Sequence, residues 1–302
     1  MEKTNGKKIR RHRVLDKPVL GYFLLILFAL LAESVFGFVD NWIAKILPAY
    51  STMSSYTIGG VEYTKTTASG VGTALGALLG LLLFKLWFRP DFKGCLHKDT
   101  LVKGLVFLAS VALVHFAGSI VSICILGLGN VGIAFLRCLA PGFGEEVAFR
   151  GLGIANWMRR IKNEKQIVAV LWVPALVFGL IHITNAIAGA PLKLSIIQGI
   201  YASGIGLLFG AVYLRTGNLW PTIIAHSLID FLEFCRADIF ASGGVMTGLT
   251  VGDWITTVAG GLAAVLGIYL CRKEKRAEIL EIWAQRWSRD TEQEGAVLPE
   301  EN

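Results

Sequence analysis

The sequence predicts an all-α polytopic transmembrane bundle with about eight membrane-spanning helices. Of its 302 residues, 54% are hydrophobic and only 17% are charged, which is typical of membrane proteins. Apolar stretches of roughly 20 residues, long enough to cross a hydrocarbon core of about 30 Å, follow one another along the chain. The connections between them alternate between basic and nearly uncharged. A water-soluble fold has no interior that could bury so many such stretches.

The apolar stretches define the helices in order. The first run, residues 18–39, is too long for the apolar core of a signal peptide and lacks an obvious cleavage site, so it is interpreted as a retained helix. The predicted spans are residues 18–39, 69–88, 101–127, 131–158, 166–186, 194–214, 219–238 and 252–270. Together they form one membrane domain, residues 18–270, between a basic N-terminus, 1–17, and a tail, 271–302.

The basic residues predict the orientation of these spans. They are concentrated before the first helix and in every second connection after it, at Arg89, Lys93, Lys98, Arg159, Arg160, Lys162, Lys165, Arg215, Arg272, Lys273, Lys275 and Arg276. By the positive-inside rule both termini are cytoplasmic, which requires an even number of spans. We therefore expect a multi-pass protein of the cell membrane.

Composition also limits the partners. The net charge is +7, and the positive residues lie mainly in short connections, where they determine the orientation of the spans. Nucleic acid is therefore not expected as a partner. The five cysteines are scattered singly, which predicts unpaired thiols. In the tail, Ile279, Leu280, Trp283 and Trp287 recur at helical spacing, which favours an amphipathic helix on the cytoplasmic membrane surface. The last dozen residues are polar and acidic, and we expect them to be disordered.

Three predicted spans carry ionisable residues, which are costly in hydrocarbon and usually functional. In each span an ionisable residue has a motif partner four positions away, a spacing that places both side chains on one helix face. Pro141, Gly142 and Pro174 are positions where helices can bend and leave space. We expect the three faces to meet at a polar chamber, with the pairs Glu146 and Arg150 beside Glu145, Phe178 and His182, and His226 and Asp230.

These motifs, Glu-Glu-x-x-x-Arg, Phe-x-x-x-His and His-x-x-x-Asp in this order, resemble the CPBP family of intramembrane proteases. That family includes type II CAAX prenyl proteases and bacteriocin-processing Abi proteins. The resemblance covers residues 131–235, within a motif-bearing core of 131–238. It implies an intramembrane endopeptidase that hydrolyses peptide bonds of membrane-associated peptide or protein substrates, with the lipid bilayer as its surroundings.

The resemblance also implies a role for each motif residue. Glu145 would be the general base that activates water, helped by His182, while Glu146 and Arg150 support it. His226 and residue 230 would bind the developing oxyanion or hold the scissile carbonyl. The family has Asn or Asp at the last position; the best-known CAAX-processing relatives have Asn, whereas this chain has Asp230. An ionised Asp cannot donate a hydrogen bond, so either Asp230 orients and charges His226 or it is protonated.

Metal catalysis and two other functions remain alternatives. One Glu and two His also form a catalytic zinc set, for which Glu145, His182 and His226 are the candidates. There is no His-Glu-x-x-His helix, and we favour a metal-independent reaction that requires no cofactor. A transporter or channel could use the same polar residues to carry ions, and a scaffold or immunity protein could use the fold to bind a partner. His115, Glu33, Lys85 and Gln198 are interpreted as packing or helix-end residues.

Overall fold

The computed structural model describes residues 14–46, 69–187, 189–241 and 248–287, together with the backbone of four short strands. The strands form two antiparallel hairpins: β1 (Lys3–Thr4) with β2 (Lys7–Lys8), and β3 (Thr52–Ile58) with β4 (Val61–Thr67). The predicted disordered end of the tail lies outside the described residues. The rest of the described chain is mainly helical.

The helices follow the predicted order. They are α1 (Pro18–Val35), α2 (Gly37–Ile46), α3 (Val71–Leu83), α4 (Leu101–Leu126), α5 (Val131–Arg137), α6 (Ala155–Met158), α7 (Gln166–Ile183), α8 (Leu192–Thr216), α9 (Trp220–Phe234), α10 (Ala237–Ala241), α11 (Val251–Leu270) and α12 (Lys273–Arg286). Two π-helical segments, Phe84–Phe88 and Ala140–Ile154, extend α3 and join α5 to α6, and a 3₁₀ turn, Thr184–Ala186, ends α7.

Six helical segments of the described chain are long and apolar enough to cross a membrane. They are Pro18–Ile46, Val71–Phe88, Leu101–Leu126, Gln166–Ala186, Leu192–Thr216 and Val251–Leu270. The predicted helical bundle with several spans is therefore confirmed. The two other predicted spans, 131–158 and 219–238, are helical but interrupted, and both carry motif residues.

The predicted helix 131–158 is not one α-helix. Its centre, Ala140–Ile154, is π-helical, with the wider turn made by hydrogen bonds between residues five apart. Pro141 lies in the first turn of this segment. An N–H at this position would have no partner within the helix, so the N–H that proline lacks is not needed there. A π-helical segment this long is unusual, and shorter ones are frequent at functional sites.

Close helix contacts define the region around the motifs. Helix α8 packs against α7 and α11 and is the most buried of the long helices. Gly76 of α3 lies directly against the backbone of Glu33 on α1, where a Cβ would overlap it. In the same way, Gly142 lies against Ser227 of α9. Gly76 thus lets α1 approach α3 closely, and Gly142 lets α9 approach the π-helical segment.

Arginines and one aspartate join several helix ends at one end of the bundle. Asp16, before α1, pairs with Arg89 at 3.0 Å, Arg159 at 3.3 Å and Arg160 at 2.5 Å. Burial alone would raise the pKa of Asp16, but its hydrogen bond with Arg160 and the charges of the three arginines lower the pKa below its usual value. We call this region the basic end, defined by Asp16, Arg89, Arg159, Arg160, Arg215 and Arg286.

The predicted tail helix is present as α12, and its apolar face packs on protein. Ile279 and Trp283 are buried, and the indole N–H of Trp283 donates to the Leu214 carbonyl at 3.1 Å. The Trp287 ring lies 4.6 Å from the Phe92 ring. The apolar face found in the sequence is real, and the bundle itself buries it. The five cysteines are unpaired, as predicted.

Candidate active site

A cavity of about 640 Å³ lies among the helices that carry the motifs. Glu145, His182, His226 and Asp230 all line it, each from one of the three predicted faces. The side chain of Glu145 is 38% exposed, so this carboxylate faces the cavity. The structure thus brings the four residues to one space, although they are separated by up to 85 positions in the sequence.

Glu146 faces away from the cavity and is completely buried. Its Oε1 accepts hydrogen bonds from Arg150 at 2.9 Å and from Nδ1 of His226 at 2.8 Å. Arg150 is also buried, with 1% of the residue exposed. A buried charge needs a partner of opposite sign. The two neighbouring glutamates therefore differ in environment: Glu145 meets the cavity, and Glu146 holds an arginine and a histidine behind it.

The hydrogen bond from His226 to Glu146 determines how the imidazole is used. A carboxylate oxygen only accepts, so Nδ1 of His226 carries the proton in this bond. Nε2 lies 3.6 Å from Asp230 and 3.9 Å from Glu145, beyond hydrogen-bond distance of both. Glu146, and not Asp230, is thus the residue that orients His226 in this structure.

His182 is held by its own helix. Its Nδ1 lies 2.7 Å from the carbonyl oxygen of Phe178, one turn earlier in α7. Because a carbonyl oxygen only accepts, Nδ1 donates this bond, and a neutral imidazole then has a free lone pair on Nε2. This ring lines the cavity. His182 can therefore accept a proton there.

Phe178 connects the parts of the site. Its ring centroid lies 4.8 Å from the ring of His182 and 5.9 Å from that of His226. The Arg150 guanidinium lies over its face at 4.4 Å, a distance typical of a cation–π contact. The sequence interpreted Phe178 as packing, and the structure adds that it packs on three motif residues at once.

Three residues interpreted from the sequence as packing or helix-end groups line the same cavity: Gln198 of α8 and the ionisable residues Glu33 and His115. Glu33 of α1 lies outside the three motifs, and its Oε1 is buried without a hydrogen bond in the described part of the chain. His115 of α4 is 2% exposed, with Nε2 3.7 Å from Oε1 of Glu233. Ionisable residues in a membrane helix are the only signal that marks them in the sequence. Neither Glu33 nor His115 is part of a motif with a recognisable spacing.

The candidate zinc ligands Glu145, His182 and His226 do not form a metal site in this arrangement. Among the described residues, no group of three or more His, Cys, Asp or Glu side chains is placed to hold a metal ion. A catalytic zinc needs its ligand atoms within about 2.0–2.3 Å of the ion. Glu145, His182 and His226 therefore do not fit a zinc ion in this arrangement.

Comparison with known proteins supports the family resemblance for the middle of the chain. Residues 127–232 match a family described as Rce1-like, type II CAAX prenyl endopeptidase Rce1-like. This segment contains all three motifs, and the match confirms the resemblance. The chain is also 24% identical over 285 residues to a Na(+)/H(+) antiporter NhaA of Azorhizobium caulinodans, covering 90% of this chain and 70% of that protein. No solved structure matches.

Proposed function

We propose that this protein is an intramembrane endopeptidase that hydrolyses peptide bonds of membrane-associated peptide or protein substrates. One observation carries the proposal: Glu145, His182, His226 and Asp230 line a single cavity, with the buried pair of Glu146 and Arg150 behind it. The family match over residues 127–232 supports the same reaction class.

Glu145 is the general base in this proposal. Its carboxylate takes a proton from a water molecule in the cavity, and the resulting hydroxide attacks the carbonyl carbon of the scissile peptide bond. His182, whose Nε2 is free to accept a hydrogen bond, orients the same water. When the C–N bond breaks, Glu145 returns the proton to the leaving amine, so the protein ends the cycle unchanged.

His226 stabilises the oxyanion in this proposal. With Nδ1 bound to Glu146, a protonated His226 presents its Nε2–H to the negative oxygen that forms during attack. Asp230, 3.6 Å from Nε2, balances this positive charge when no oxyanion is present. Arg150 acts through Glu146 and Phe178 and is a positioning residue.

The test compares peptides released by the wild type and by Glu145→Gln in proteoliposomes, using mass spectrometry on a mixture of membrane peptides. We expect Glu145→Gln to lower the release by at least about 10²-fold, as for the loss of a general base. Glu281→Gln, at an exposed position on α12, is the matched control and keeps full activity. Metal analysis of the same samples tests the metal-independent reaction. Full activity of Glu145→Gln would refute its role.

A second candidate function is ion transport, favoured by the similarity to the antiporter over most of the chain. Glu33, Glu145, Asp230 and Glu233 around one cavity are residue types that can carry protons or cations. The same proteoliposomes distinguish the two functions. Sodium-dependent proton movement without any peptide release would favour transport over hydrolysis.

A further inference from the structure

We infer that the side-chain amides of Asn185 and Gln198 bind the main chain of an extended peptide segment beside the scissile bond. This inference rests on the proposed function for the cleavage step, whereas the binding itself follows from the position of the two amides in the cavity. Asn185 lies in the 3₁₀ turn that ends α7, and Gln198 lies in α8.

The two amides line the cavity next to the candidate catalytic residues. Both side chains are half-buried, and both belong to the wall that also contains His182. Asn185 follows His182 by three residues, which is about one turn of a 3₁₀ helix. Gln198 shares one face of α8 with Tyr201 and Ala202, and all three line the cavity. A peptide bound beside His182 is therefore next to the two amides.

The hydrogen bond between the two amides leaves polar groups for a ligand. Nδ2 of Asn185 donates to Oε1 of Gln198 at 2.8 Å. A side-chain amide has two N–H donors and a carbonyl oxygen that accepts. In the part of the chain that the structure describes, the carbonyl oxygen of Asn185 and the N–H groups of Gln198 therefore remain for other bonds. Turning both amides over exchanges the donor and the acceptor but leaves one of each.

Close packing of α7 and α8 fixes the positions of the two amides. A Cβ at Gly179 of α7 would overlap the carbonyl oxygen of Gly199 in α8, and a Cβ at Gly199 would overlap that of Gly179. The backbone N–H of Ala190, just before α8, donates to the Asn185 carbonyl at 3.0 Å. The amides are thus placed by the bundle before a ligand arrives, which lowers the entropy cost of binding.

The surroundings indicate which ligand suits these groups. Both amides lie in helical segments long and apolar enough to cross a membrane. A substrate segment that unwinds to reach Glu145 loses its internal hydrogen bonds, and each main-chain group left unpaired in a poorly hydrated site costs free energy. One neutral acceptor and one neutral donor match the N–H and C=O groups of an extended main chain, as when a strand is added to a sheet edge.

Main-chain binding of this kind has a consequence for specificity. It does not depend on the substrate side chain at the position that faces the amides, because every residue except proline has both an N–H and a C=O. Proline lacks the N–H and does not fit at that position. The substrate class is therefore an extended segment of varied sequence without proline beside the cleavage site.

Peptide binding tests the inference without depending on hydrolysis. The parent protein is Glu145→Gln in detergent, and the probe is a fluorescent octapeptide of alternating leucine and alanine. In a series of these peptides a single amide is replaced by an ester, which removes one N–H, at successive positions. The added substitutions Asn185→Leu and Gln198→Met remove both amides together, so neither is left unpaired. Gln285→Met, at an exposed position of α12, is the matched control and should bind every peptide as the parent does.

We expect an ester at one position to weaken binding to the parent by about 3–10-fold, as for one lost hydrogen bond. Without the two amides the unmodified peptide should bind more weakly, and the same ester should have no further effect. Effects of ester and amides that add at every position, or no binding to the parent, would overturn the inference. If the variant without both amides does not fold, Gln198→Met alone replaces it, with the same criteria.

Peptide release by the protein with Glu145 intact separates the two possible failures. There, Asn185→Leu with Gln198→Met should raise KM about 10-fold with kcat nearly unchanged, as for lost binding that the ground state and the transition state share. A lower kcat at an unchanged KM would overturn the inference. The expected binding without any release would refute the proposed peptidase and uphold the amide site, whereas release without the expected binding would do the opposite.

Discussion

Nδ1 of His226 lies 2.8 Å from Oε1 of Glu146, a hydrogen bond that joins two helices 80 positions apart in the sequence. The same oxygen accepts from Arg150 at 2.9 Å. Because Glu146 has no exposed surface, this bond is part of the protein interior, whereas the other nitrogen of the ring lies near Glu145 and Asp230 of the cavity wall. The stability of the fold and the orientation of a candidate catalytic group therefore depend on one carboxylate.

Glu146→Gln is expected to destabilise the protein strongly. Removing one partner of a buried ion pair leaves Arg150 uncompensated, at a cost of about 3–5 kcal/mol. The measurement is the Tm in detergent. The double variant Glu146→Gln, Arg150→Met is the control, since it removes the isolated charge and should recover much of the Tm. Glu145→Gln, at the cavity, should leave the Tm nearly unchanged. A Glu146→Gln variant as stable as the wild type would contradict this prediction.

Asp230→Asn is expected to keep most of the peptidase activity. An amide is nearly isosteric with the carboxylate and can donate a hydrogen bond to an oxyanion. Asp230→Leu supplies neither a hydrogen-bond donor for the oxyanion nor a partner for the protonated His226, and we expect a loss of about 10²-fold, in the range for removal of a group that supports oxyanion stabilisation. Peptide release under single-turnover conditions measures both. Equal losses in Asp230→Asn and Asp230→Leu would show that the negative charge is essential.

Gly142→Ala is expected to disturb the site through packing. The new Cβ would overlap the side chain of Ser227, next to His226, and push α9 away from the π-helical segment. Overpacking of this kind costs about 1–3 kcal/mol. Activity and Tm should both fall, and the added substitution Ser227→Gly should restore them. Gly261→Ala, where a Cβ meets nothing within 4 Å, is the matched control without effect. Unchanged activity in Gly142→Ala would show that the close approach is unnecessary.

Asp16→Asn is expected to destabilise the basic end in a pH-dependent manner. The pKa of Asp16 is lowered in the folded protein, so its contribution is fully present above the unfolded value near 3.8 and is lost as the pH falls through the folded value. We expect Asp16→Asn to cost about 2 kcal/mol at pH 7, as for hydrogen bonds to charged groups. The difference in Tm from the wild type should persist at pH 5 and shrink at pH 3. Asp99→Asn, at an exposed position, is the control. If the difference in Tm between Asp16→Asn and the wild type did not change with pH, the lowered pKa assigned to Asp16 would be contradicted.

Hydropathy and motif spacing predicted much of this protein because both are local properties. A stretch of about twenty apolar residues predicts a membrane span whatever its neighbours are. Residues four apart share a helix face whatever that helix packs against. The tail helix shows where local reasoning ends. The apolar face with Ile279 and Trp283 was found correctly, but periodicity cannot tell whether lipid or protein covers such a face.

The sequence by itself determined the helical membrane fold, the order of its main spans and the residues able to carry the chemistry. Only the tertiary structure decided that Glu145 meets the cavity while Glu146 binds His226 and Arg150, and that Glu33 and His115 join the wall. The direction of a side chain depends on the helix type, here π rather than α, and on glycine contacts such as that of Gly142 with Ser227. Those contacts join residues distant in the chain, and no local pattern encodes them.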